Sequence, residues 1–286
     1  MYRIQKKTGR ITDEALRVDL CGVAFDLRGR GGFPDDTARR YRGFHASGPA
    51  GVRLDLEWDD PMELSLFRDP AVDVEGRRWR IHRNDFDGAY DPAARRGNVR
   101  LVSRPTTLDS FLRVLLSALL LDSGGMLVHA ASLRIGDGGL LFPGPSGRGK
   151  STLASKAGRS RILSDEISCV TGAGPGARLR GTPFWGNFRE GRLNVDLPLR
   201  GIFFLDRELP PGVHPIRRAD AFRRLLECVL FFTADLGMNR RLLASAAALL
   251  DGVPTALLSY PIGMPWGEVC RMIRSVKNVR GSKQIA

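Results

Sequence analysis

GPSGRGKST, residues 144–152, decides how this chain is read. Gly144, Gly149, Lys150 and Ser151 occupy the fixed positions of G-x-x-x-x-G-K-[ST]; Pro145, Ser146, Gly147 and Arg148 lie between them, and Thr152 follows. Such a loop aims backbone N–H groups and a helix N-terminus at phosphate oxygens, while the lysine adds a mobile positive charge. Its flanks have the required order. Gly139-Leu140-Leu141-Phe142 is a short apolar run, as expected of a buried strand. Thr152 to Ala157 suits a helix that Gly158 would end. Lys150 is one of only six lysines among 44 basic residues, so it is not part of a lysine-rich background. Ser151 is the expected Mg²⁺ ligand.

Working outward, the texture changes near residue 104. Residues 1–103 read as a β-rich domain: VRLDLEW (52–58) alternates apolar and charged residues, RWRIHR (78–83) does so again, and GRGGFPDD and GPAG mark turns. Residues 104–275 alternate helix and strand, the pattern of an α/β nucleotide-binding domain. Expected helices cover Leu108–Leu121, a face formed by Phe222, Leu225, Leu226, Val229 and Leu230, residues 239–251, and a last helix with Pro265 in its first turn. MLVHAASLRI (126–135), GGLLF (138–142), RILSDEISCV (161–170), ARLRGTPF (177–184), RGIFFLD (200–206) and TALLSYPI (255–262) read as strands. Residues 276–286 read as a basic tail.

Composition excludes several classes. A hydrophobic content of 43% and a charged content of 26% describe an ordinary globular chain. Its longest apolar stretch, Phe111–Leu121, is interrupted by Arg113 and is too short to span a bilayer. The N-terminus lacks the pattern of a secretion signal, and the four cysteines are scattered without a C-x-x-C pair. A reducing cytoplasm is the expected compartment. The net charge of +13 is uneven: 19 basic against 17 acidic residues in 1–103, and 25 against 14 in 104–286. Anionic partners follow from that, a nucleotide and an acidic peptide first; no nucleic-acid motif or aromatic stripe supports binding of nucleic acid.

Three further places carry chemistry. Asp165 and Glu166 are adjacent acids in an otherwise apolar segment, a costly position unless a cation or a function compensates. On a strand they would point to opposite faces, so one of them is expected to face the phosphates. Asp206, after the apolar run 202–205, competes for the metal-binding role. His129 lies in MLVHAASL. If the strands at 126–135 and 138–142 form a hairpin turning at Asp137-Gly138, partner numbers sum to 275, and His129 stands opposite Ser146 in the loop.

The segment HAASLRIGDGGLLFPGPSGRGKSTLASKAGRSRILSDE, residues 129–166, resembles the catalytic domain of HPr kinase/phosphorylase, a bacterial Ser kinase with a phosphoenolpyruvate-carboxykinase-like P-loop fold. RGTPFWGNF (180–188) and LRGIFFLD (199–206) look more like the shorter HPr-kinase-related proteins, some of which accompany modified peptides such as lasso peptides. The resemblance thins over 104–275 and leaves the first hundred residues unaccounted for. It implies Gly144 to Ser151 for nucleotide phosphates, Asp165 as base for the acceptor hydroxyl, and His129 as its phosphate-side partner. Glu166 stands in place of the family's second Asp, implying a metal or charge role. A further family acid is matched by Arg178, which bears on the metal site and on the reverse, phosphorylase reaction. Among C-terminal arginines, Arg240 and Arg241 are candidates for transition-state stabilisation. Self-association is also implied.

The expectation is therefore an α/β protein: a phosphoenolpyruvate-carboxykinase-like P-loop domain preceded by a smaller β-rich domain. Its expected activity is an ATP- and Mg²⁺-dependent transfer of phosphate to a hydroxyl, most simply a serine of a peptide or small protein. A small-metabolite kinase and a nucleotide-dependent peptide-binding module are the alternatives.

Overall fold

The computed structural model describes residues 14–60, 68–172, 174–184, 186 and 193–275. The basic tail at 276–286 lies outside the described residues, as does part of RGTPFWGNF. The protein is mixed α/β with two sheets and, among the described residues, six α-helices. It divides into two compact units, residues 1–111 and 112–286.

The first unit is built on seven strands: β1 (Glu14–Leu20), β2 (Val23–Gly29), β3 (Val52–Asp59), β4 (Ala71–Glu75), β5 (Arg78–Arg83), β6 (Phe86–Asp91) and β7 (Arg96–Val102), with a short α1 (Thr37–Arg40) after β2. Their order is β1-β2-β3-β7-β6-β5-β4. β3 is parallel to both its neighbours, and the remaining pairs are antiparallel. The alternation seen in the sequence is one of burial: in β3, Val52, Leu54 and Leu56 are covered while Asp55 and Glu57 face out. α2 (Pro105–Leu119) contains the boundary between the units. Within the first unit, its Asp109 is buried, accepts a hydrogen bond from the Tyr41 hydroxyl at 2.6 Å and pairs with Arg40.

The second unit holds β8 (Met126–Ile135), β9 (Gly138–Pro143), α3 (Lys150–Ala157), β10 (Ile162–Ser164), β11 (Ile167–Thr171), β12 (Arg178–Arg180), β13 (Asp196–Leu205), β14 (Gly212–His214), α4 (Arg218–Leu226), α5 (Leu236–Gly252), β15 (Thr255–Ser259) and α6 (Trp266–Arg274). The sheet runs β10-β8-β11-β12-β13-β15-β14, and β9 joins it by pairing with both β8 and β13. β9 is antiparallel to β8 but parallel to β13, which is itself parallel to β15. Strands β9, β13 and β15 therefore end on the same side, and the glycine loop leaves from there.

Four sequence expectations change. The β8–β9 hairpin turns at Gly136-Asp137, with Ile135 opposite Gly138 and Ala130 opposite Pro143, so partner numbers sum to 273. Gly136 supplies the positive φ of +58° at the first turn position, where a Gly-X loop requires it. His129 thus falls level with Gly144, whose N–H reaches the His129 carbonyl at 3.2 Å, and not with Ser146. RILSDEISCV is two strands, β10 and β11, broken at Asp165 and Glu166 because the Ser164 hydroxyl turns back on the Ile167 carbonyl at 2.7 Å. ARLRGTPF is a strand only over Arg178–Arg180. α4 stops at Leu226, and Val229 instead forms a bridge to Val128 of β8.

α3 and α6 cover one face of this sheet. Leu153, Ala154 and Ala157 of α3, with Val269 and Ile273 of α6, bury against Leu133, Leu140, Phe142, Phe203 and Leu258. Phe142 and Phe203 stack with centroids 6.0 Å apart, holding together the two strands that flank the loop's exit. Phe142 is fully buried. Phe142→Ala should lower unfolding stability by ~3–5 kcal/mol, read from urea denaturation of the second unit; a loss under ~1 kcal/mol would mean this contact does not hold β9 to β13.

Candidate functional site

The site begins where β9 ends. Gly147 and Gly149 take φ of +82° and +99°, which lets the backbone wind back on itself and start α3 at Lys150. A Cβ at Gly149 would stand 2.7 Å from an Arg207 guanidinium nitrogen, so Arg207 lies over the loop. Pro145, Ser146, Gly147 and Arg148 are exposed, while Ser151 and Thr152 are half-buried on the first turn of α3.

Lys150 is 5% exposed. Its ammonium donates to the carbonyls of Gly144 at 2.6 Å and Pro145 at 2.9 Å, and among the described residues no carboxylate lies within ion-pair distance. Burial lowers its pKa, and the negative charges that Cys228, once ionised, and Glu166 carry act in the opposite direction. A buried cation held only by two carbonyls is under-compensated, and it favours an anion in front of it.

His129 is placed by β8. Its N–H donates to the Cys228 carbonyl at 2.7 Å, and across the ladder it is level with Ile167 of β11. The imidazole is half-buried. Burial first, then the positive charges of Lys150 and Arg113, push its pKa below the ordinary 6.5. The nearby Cys228 thiol is pushed up to about 11 by burial, which keeps it protonated at neutral pH.

Asp165 and Glu166 occupy the break between β10 and β11 and face different surroundings. Asp165 is 3% exposed, and its carboxylate accepts from the Gly186 N–H at 3.2 Å. Glu166 is the acid whose field reaches Lys150, and it pairs with Arg113 at 3.7 Å. Asp206 lies at the end of β13, beside the loop strand. It accepts from Arg224 at 3.2 Å and lines a narrow cleft with Arg148, Thr152, Arg207 and Tyr260. Arg178 bonds the Asp196 side chain at 2.5 Å and ties β12 to β13. Arg240 and Arg241 are exposed on α5, and none of their described contacts reaches the loop.

Among the described residues no group of three or more His, Cys, Asp or Glu side chains could hold a metal ion by itself. Mg²⁺ ordinarily uses one or two carboxylates with substrate phosphates. Ser151 and one carboxylate beside the loop fit that requirement.

Arg113 is the residue that the sequence reading passed over. Its guanidinium lies 5.1 Å from the centroid of the Phe184 ring, pairs with Glu166 and acts on His129. Its Nε is buried and, among the described residues, has no hydrogen-bond partner. The available signal was an arginine inside the apolar stretch Phe111–Leu121, which is costly unless something nearby needs it. Arg207 was the other omission.

No protein-family model matches this chain, and no curated protein matches it significantly. The class of site rests on geometry: a mixed α/β unit with a glycine loop between a buried strand and a helix, a buried lysine, a histidine and paired acids. No helix among the described residues is long and apolar enough to cross a membrane.

His129 provides a direct check. Its ring should titrate below pH 6.5 in an NMR titration, and Arg113→Gln should raise that midpoint by removing a positive charge. Because the folded state binds this proton less readily than the unfolded chain, the stability linked to His129 is complete above about pH 6.5. It is lost as pH falls from there toward the folded pKa. A midpoint unmoved by Arg113→Gln would place Arg113 outside the site.

Proposed function

We propose that the second unit is an ATP- and Mg²⁺-dependent kinase of the phosphoenolpyruvate-carboxykinase-like P-loop kind. It would transfer the γ-phosphoryl group to a hydroxyl, most simply a serine of a peptide or small protein. One observation carries this reading: the Lys150 ammonium is buried at the start of α3, held by two loop carbonyls and without a carboxylate partner among the described residues. A phosphate in the loop supplies the missing negative charge. The motif and the resemblance to HPr-kinase-related proteins supply the direction of the chemistry, and the acids beside the loop supply its means.

In this scheme the loop N–H groups and Lys150 hold the phosphates and neutralise the charge that develops on them. Ser151 with Glu166 or Asp165 would hold Mg²⁺, which would supply further charge neutralisation when bound. Asp165 accepts the acceptor's hydroxyl proton as the new O–P bond forms and the bond to the departing ADP oxygen breaks. His129, kept neutral by its surroundings at physiological pH, lies on the phosphate side and orients the transferred group.

The test uses γ-labelled ATP and serine-bearing peptides with the full chain. Label should appear on the hydroxyl. Asp165→Asn should cut transfer by about 10²–10⁴-fold with ATP affinity retained, while Lys150→Ala should lose ATP binding. Label on a small alcohol but on no peptide would favour a metabolite kinase. No transfer to any hydroxyl, with ATP-dependent peptide capture intact, would leave a binding module and end the kinase reading.

A further inference from the structure

Away from the loop, at the C-terminal end of α3, a cavity of about 290 Å³ is lined by Arg161, Arg271 and Arg274 together with Trp266, Cys270 and Ile135. Among the described residues no carboxylate lines it. Each arginine has a local reason to be there, but none of those reasons explains their convergence. Arg161 donates to the Ala157 carbonyl at 2.9 Å and caps α3. Arg271 reaches Glu268 of its own helix at 3.8 Å, an exposed and weak pair. Arg274 has no carboxylate partner among the described residues. Two of the three lie in the last turn of α6, where positive charge complements the helix dipole. The third comes from a different element, and all three meet beside a half-buried tryptophan. Like charges that line one cavity repel one another, and an anion drawn among them relieves that repulsion.

We propose that this cavity seats an acidic segment of the phosphate acceptor, its side-chain carboxylates on Arg161, Arg271 and Arg274 and its aliphatic stems against Trp266 and Ile135. The proposal rests on the kinase reading above and names its substrate class: a peptide with a run of Asp or Glu near the acceptor hydroxyl. A peptide suits the cavity better than a single small anion because the guanidiniums are spread over two elements and offer separate seats. The apolar walls match the stems of Glu and not bare phosphate.

The position fixes a spacing. α3 carries the phosphate loop at one end and Arg161 just beyond the other, and Lys156 donates to the Met264 carbonyl at 3.1 Å, tying the helix to the segment that enters α6. Eight residues of α3 span ~12 Å, a distance that an extended chain covers in about four residues. The cavity's far wall, Ile135 and Gly136, stands beyond the six residues of β9, ~20 Å from the loop, so the acceptor hydroxyl should lie roughly four to eight residues from the acidic run.

The experiment measures fluorescence anisotropy of a labelled Glu-rich peptide carrying one serine, and of its Gln counterpart, on the full chain. The Glu peptide should bind and the Gln peptide should not. The double variant Arg271→Gln/Arg274→Gln should lose about tenfold or more in affinity. Both arginines are exposed, and circular dichroism confirms that the variant is folded. Lys150→Ala should leave peptide binding unchanged. With ATP, the double variant should raise KM for the Glu peptide and leave kcat alone, the mark of lost uniform binding.

Equal binding by the double variant, no binding by the wild-type chain, or equal turnover of Glu and Gln peptides overturns the proposal. So does tighter binding of inorganic phosphate or of a single-stranded oligonucleotide through the same two arginines. If acidic peptide binds as described but no phosphate moves, the kinase reading falls and the docking site stands.

Discussion

An ammonium buried without a carboxylate partner among the described residues is the constraint on which this protein's second unit is organised. Lys150 cannot leave the site, because it begins α3 and that helix is packed into the core through Leu153, Ala154 and Ala157. Its charge cannot be satisfied by neutral carbonyls alone, since the low dielectric around it raises the cost of an uncompensated ion. The fold holds the group where, among the described residues, no carboxylate reaches it within ion-pair distance. Neighbouring charges are arranged accordingly: Glu166 acts from a distance, Arg113 restrains Glu166, and His129 is held below its ordinary pKa by burial first and then by the cations around it.

This arrangement depends on β9 having two unlike neighbours. Pairing antiparallel with β8 sets His129 level with Gly144; pairing parallel with β13 brings Asp206 and Arg207 to the same edge. Groups that are far apart in sequence reach one strand end because the sheet, not any local motif, aligns them. The parallel edge of the sheet thus gathers the loop, its cleft and the β13 acid. The β8 side contributes the histidine and the Asp165-Glu166 break.

Much of this was legible in the sequence where local chemistry decides. The loop, the buried strand before it, the Gly158 stop after α3 and the alternation of β3 and β5 each follow from residue type and period. The hairpin register did not, because two glycines flank Asp137 and only the backbone shows that Gly136 takes the positive φ. α4 was read too long because Val229 keeps the helical spacing although its backbone is used by β8. The acids were legible as an anomaly but not in their orientation, which is set by the Ser164 turn. Arg113 was hidden by a different limit: its partners, Phe184 and Glu166, are distant in the chain and lie on no shared period.

The Gly136-Asp137 hairpin also restricts how this chain can vary in length. Side chains alternate faces along a strand, so one residue gained or lost within β9 would turn its buried side chains to the other face of the sheet and move the loop away from its edge. A compensating change elsewhere could not restore the match, since β9 is held on both sides. Surface loops of the same unit can lengthen at small cost, whereas a change of length within β9 breaks its pairing with both β8 and β13. Length, more than composition, is what descent from a common ancestor would have to preserve here.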